Sequence, residues 1–89
     1  MKLPQSLFKA VIFNEFLNES EKIFFLKLIL TISEDKFCKK TNNQLAKICK
    51  KTPRQIQRYL KNLIDLEFIF TDLCQEGFRR IYIREDLHG

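Results

Sequence analysis

A mainly helical fold closed by a small β-hairpin is what this sequence predicts, and three observations predict it. Only two glycines and two prolines occur in 89 residues, too few for a many-turned β-sandwich. Polar helix-start signals at Asn18, Thr41 and Thr52 each precede a stretch of helical apolar period. After Glu67 the pattern changes to two runs of β-branched and aromatic residues on either side of Gly77.

The length suits one domain spanning 1–89, and 45% hydrophobic residues with nine phenylalanines supply a core rather than a disordered chain. Net charge is +5, a weak pointer until its distribution is considered. Between Lys36 and Ile64 stand nine lysines and arginines and no aspartate or glutamate, while the acids flank this stretch on both sides. Such segregation gives the chain a basic face. Cys38, Cys49 and Cys74 form no CxxC pair, and the one histidine is His88, so no zinc framework or other metal site is expected. An odd cysteine count without a secretory leader points to a reducing, cytoplasmic compartment. The apolar region 23–32 is too short to cross a membrane. No Gly-rich phosphate loop and no His beside a nucleophile appear, so neither an enzyme, a cofactor nor a small-molecule substrate is expected.

The elements follow in order. A first helix is expected over about 6–16, opened by Pro4 and closed near Asn14-Glu15. Asn18 caps the next, with Glu21 placed to complete a capping box, and it runs to about Ile32. Its residues are apolar nearly all round, so it is either central or half of a homodimer contact. Phe37-Cys38 can form a short edge strand. Thr41 and Gln44 open a helix to about Lys50, with Leu45, Ile48 and Cys49 inward and Asn43, Lys47 and Lys50 outward. Thr52 and Gln55 open another at Pro53, expected over about 53–66. A hairpin over about 68–84 turns at Gly77, which tolerates a positive φ.

The function lies in the helix that Thr52 opens. At about 100° per residue, Ile56, Tyr59, Leu60 and Leu63 fall together and face inward. Arg54, Arg58 and Lys61 lie opposite, flanked by Gln55, Gln57 and Asn62. Arginine bonds guanine O6 and N7 in a bidentate way, Gln and Asn do the same for adenine, and lysine supplies charge against phosphate. A charged outer face is also ordinary for a solvated amphipathic helix. The missing acids, the capped helix upstream and the hairpin downstream together favour a double-stranded DNA reader of the helix-turn-helix type. Arg54, Gln55, Gln57 and Arg58 are then the base-reading set and Lys61 a phosphate contact, with Asn43, Lys50, Lys51 and Thr52 completing the DNA-facing surface.

The run from Leu45 to Leu63, followed by Glu67-Phe68-Ile69, resembles the helix-turn-helix core and wing entry of winged-helix proteins. Leu3-Pro4-Gln5-Ser6-Leu7-Phe8 and Leu17-Asn18-Glu19-Ser20-Glu21-Lys22 are similar to the N-terminal winged-helix domains of plasmid and phage replication initiators and replisome organisers. The resemblance implies a winged helix-turn-helix fold, a role in replication initiation and replication-protein partners. A small transcriptional regulator of the same fold is the alternative, as is a winged-helix protein-interaction module that binds no DNA. It also implies a wing at 74–79, bringing Arg79 and Arg80 to DNA, though strand alternation sends the two in opposite directions. Two departures stand out. Lys50-Lys51 occupy positions where the family has a glycine and a small apolar residue, so either the turn is built differently or strain of about 1 kcal/mol is tolerated. Glu67 replaces a glycine at the wing entry, a change expected to matter less.

Overall fold

The computed structural model describes residues 9, 11–32 and 37–84. Helices α1 (Glu19–Thr31), α2 (Asn42–Cys49) and α3 (Pro53–Asp65) precede strands β1 (Ile69–Leu73) and β2 (Arg79–Ile83). Residues 33–36, which join α1 to Phe37, and the segment 3–8 lie outside the described residues.

Each helix opens with the reciprocal cap its sequence specifies. Asn18 Oδ1 accepts from the Glu21 N–H at 2.8 Å while Glu21 Oε1 accepts from the Asn18 N–H at 2.9 Å. Thr41 with Gln44, and Thr52 with Gln55, repeat the arrangement, and Pro53 stands in the first turn of α3 where no N–H is missed. A cap of this kind is worth about 1 kcal/mol to its helix.

The helix ends are less conventional. Lys50 closes α2 in the left-handed region at φ 55°, and the Lys51 N–H reaches back to the Ala46 carbonyl at 2.9 Å. Glu67 closes α3 in the same way at φ 64°, with Phe68 N–H to Leu63 carbonyl and Glu67 N–H to Ile64 carbonyl, both at 2.9 Å. This is the Schellman pattern, which glycine normally serves. The turn between α2 and α3 is therefore built on a left-handed lysine, and the strain is tolerated. Glu67 carries the same strain, contrary to the expectation that its replacement of glycine matters less.

The buried apolar residues form one cluster. Phe24, Phe25 and Leu28 of α1 meet Leu45, Ala46 and Cys49 of α2, Ile56, Tyr59, Leu60 and Leu63 of α3, and Phe68, Ile69, Ile81 and Ile83 of the hairpin. Phe24 packs on Tyr59 with ring centroids 5.3 Å apart, and Phe25 on Phe68 at 5.6 Å. Phe24, Phe25 and Leu28 are thus satisfied within the chain, leaving Ile23 and Leu30 as the exposed apolar positions of α1. One inward assignment changes. Ile48 is 43% exposed and Ala46 is buried in its place, because α2 packs with its 45–46–49 stripe. The first helix ends earlier than 16: Lys9, Val11 and Ile12 are helical, Phe13 begins a turn, and Phe16 is exposed.

β1 and β2 pair antiparallel with Ile69 opposite Ile83 and Asp72 opposite Arg80, and Gly77 turns between them at φ 92°. Cys38 joins the edge as a single bridge, exchanging both backbone hydrogen bonds with Ile81 at 2.9 Å. The expected 37–38 strand is this bridge. Among the described residues no helix is long and apolar enough to cross a membrane.

Relieving the left-handed strain stabilises the fold. Glu67→Gly is expected to raise unfolding free energy by a few tenths to about 1 kcal/mol, and Glu67→Val to lower it by at least about 1 kcal/mol, in urea denaturation. Equal midpoints for the two variants would contradict the assignment of strain to this residue.

Candidate nucleic-acid interface

The geometry of the basic face follows from α3. Its apolar stripe, Ile56, Tyr59, Leu60 and Leu63, is buried, so the helix cannot rotate without exposing four large side chains. Arg54, Arg58 and Lys61, at i, i+4 and i+7, are consequently exposed along one line. Among the described residues none of the three has a carboxylate within ion-pairing distance. Gln57 is exposed beside them. Asn43, Lys47, Lys50, Lys51 and Thr52 are exposed on α2 and the turn, so the exposed cations run from α2 into α3 along a stretch of chain that holds no acid. Asp65, at the last position of α3, ends it.

A cleft lies on each side of this line. One, of about 310 Å³, runs between α3 and the hairpin and is lined by Asn42, Gln57, Leu60, Lys61, Ile64, Thr71 and Arg79. The other, also about 310 Å³, is lined by Glu21, Arg58, Lys61, Asn62 and Asp65.

Three polar residues on α3 and its cap differ from expectation. Gln55 Oε1 accepts the Thr52 N–H at 3.0 Å, and the Thr52 hydroxyl accepts the Gln55 N–H at 3.1 Å. Both side chains are therefore engaged in capping, and a bidentate adenine contact would require Gln55 to leave the cap. Asn62 is half-buried and donates from Nδ2 to Glu21 Oε2 at 2.5 Å. It ties α3 to α1 instead of flanking the outward wedge. Glu21 is buried, so one carboxylate serves both the α1 cap and this link. The Glu21 capping role is local and visible in sequence; its partner lies 41 residues away, which no local pattern reports.

The hairpin arginines differ more sharply. Arg79 is half-buried and points inward, donating to Asn42 Oδ1 at 2.8 Å and to the Lys40 carbonyl at 2.9 Å, with its Nε buried and unpartnered. Burial pushes its pKa down. Arg80 lies on the outer face, gripping Asp72 from Nε at 2.7 Å and Nη2 at 3.0 Å and resting over the rings of Phe37 and Tyr82. The hydrogen bond to Asp72 raises its pKa. Both guanidinium groups, expected at DNA, have partners within the chain, which sets Arg79 and Arg80 apart from Arg54, Arg58 and Lys61. The two side chains point in opposite directions, as strand alternation requires, and each finds its partner within the chain. Phe78, at the hairpin tip, is half-buried with Lys39 Nζ over its ring at 5.7 Å.

Set against known protein families, curated proteins and solved structures, the chain has no match among any of them.

The two hairpin arginines are expected to separate in stability. Arg79→Ala removes two charge-assisted hydrogen bonds from a half-buried site and should cost about 1–3 kcal/mol. Arg80→Ala breaks a pair whose side chains are 30% and 43% exposed and should cost clearly less than Arg79→Ala. Urea unfolding measures both, and equal losses would contradict this division of roles.

Proposed function

We propose that the chain is a winged helix-turn-helix DNA-binding domain that reads double-stranded DNA by placing α3 in the major groove. One observation carries the reading: among the described residues Arg54, Arg58 and Lys61 stand outward without an ion-pair partner, on a run of sequence from α2 to Ile64 that holds no acid, with Glu21 and Asp65 reaching only the cleft beside Arg58 and Lys61. Arg54 and Arg58, with Gln57 between them, lie in the N-terminal half of α3, the part of a recognition helix that meets base edges. Lys61, one turn further, meets phosphate, as do Asn43, Lys50 and Lys51 around the turn. Gln55 and Thr52 contribute by holding the helix start. The hairpin takes the place of the wing, but with Arg79 and Arg80 engaged elsewhere it supports the helix pair rather than contacting DNA through those groups.

The resemblance of Leu17-Asn18-Glu19-Ser20-Glu21-Lys22 and of the preceding segment to plasmid and phage initiators and replisome organisers makes replication initiation the proposed setting. Three free cysteines suit a cytoplasmic protein.

Fluorescence anisotropy tests the reading. Affinity for duplex should fall linearly in log–log terms with salt, with a slope near −0.9 for each phosphate engaged. On a selected site, Arg54→Ala and Arg58→Ala should each cost about 1–3 kcal/mol and relax base preference, whereas Lys61→Ala weakens all duplexes alike. Small, equal losses for all three would mark a solvated face and overturn it.

A further inference from the structure

A second basic surface lies where α1 meets the turn between α2 and α3. A groove of about 280 Å³ there combines apolar lining from Ile23, Phe24 and Cys49 with Lys27, Lys50 and Lys51, and among the described residues no carboxylate lines it. Among the described residues these three ammonium groups have no ion-pair partner. Burial pushes the Cys49 thiol pKa up while the charges of Lys27 and Lys51 pull it the other way. Along α1, Ile23, Lys27 and Leu30 recur at i, i+4 and i+7 and share one stripe. Ile23 is 53% and Leu30 84% exposed, so the stripe offers two apolar side chains to solvent beside the lysines.

We propose that this groove and the adjoining α1 stripe dock an acidic amphipathic helix from a protein partner. Its apolar residues, one heptad apart, cover Ile23 and Leu30, and its carboxylates meet Lys27, Lys50 and Lys51. The chemistry selects this occupant over two others. Nucleic acid would satisfy the lysines but leave Ile23 and Leu30 uncovered. A second copy pairing through the same stripe about a two-fold axis would bring Lys27 against its symmetry mate, a like-charge contact. An acidic helix neutralises the lysines and covers the apolar positions together, as helix-in-groove recognition does. Because Lys50 and Lys51 border both this groove and the proposed DNA surface, partner and duplex would compete for them.

The probe is a fluorescein-labelled helical peptide with leucines one heptad apart and glutamates between, set against a scrambled peptide of identical composition, on the full chain. The helical peptide should bind about tenfold tighter than the scrambled one, and Lys27→Glu and Leu30→Glu should each weaken it by about tenfold or more. Arg54→Ala should leave peptide binding intact while lowering duplex affinity, and Leu30→Glu should do the reverse, so this proposal and the DNA reading fail separately. Leu30 is so exposed that its replacement leaves the core untouched, and Lys27→Gln serves as the milder second variant. Equal binding of the two peptides would overturn the proposal. So would wild-type affinity in Lys27→Glu and Leu30→Glu, or a dimer of the chain alone that Leu30→Glu dissociates.

Discussion

The burial of one side of α3 governs the rest of the molecule. Ile56, Tyr59, Leu60 and Leu63 anchor the helix against α1, α2 and the hairpin, and a helix fixed on one side has no choice about the other. Burying these four side chains is worth several kcal/mol at about 1.5–3 kcal/mol each. That is ample to hold the azimuth at which Arg54, Arg58 and Lys61 face outward. The Glu21–Asn62 hydrogen bond adds a directional restraint that apolar packing lacks, because it couples the rotation of α3 to the capped start of α1. The same carboxylate thus ends one helix and aims another.

What was legible in the sequence is what depends on near neighbours. All three capping boxes join residues three apart, and Gly77 serves its turn locally, so side-chain chemistry read in order was sufficient for them. The inward stripe of α3 is also periodic, and Ile56, Tyr59, Leu60 and Leu63 are buried as that period predicts. The left-handed residues were harder. Sequence gives a lysine and a glutamate at Lys50 and Glu67, and only the closing hydrogen bonds of α2 and α3 show that both adopt the conformation glycine favours. In both cases helix termination outweighs a local cost of about 1 kcal/mol.

What was not legible depends on groups brought together across the chain. Arg79 looks like a wing cation until Lys40 and Asn42 come within reach, 39 and 37 residues away. Arg80 is neutralised by the residue directly opposite it in the hairpin, a consequence of register rather than composition. Gln55 illustrates a different difficulty, since the residue type that suits adenine also suits the third position of a capping box. Where the two roles coincide at a helix start, the local hydrogen bond takes the side chain. Ile48 and Ala46 exchange places for a simpler reason: α2 is short, and the elements packed on it choose between two adjacent stripes of similar period. The basic surface that remains is narrower than the sequence suggests, centred on α3 and the turn before it.

Amide chemical-shift mapping with an added duplex tests the central claim most directly. The largest perturbations are expected at residues 52–61, with smaller ones at Asn43, Lys50 and Lys51, while the backbone amides of β1 and β2 stay near their free positions. Perturbations concentrated on the hairpin or on α1, or none at all at low salt, would contradict the claim that α3 presents its guanidinium groups to DNA.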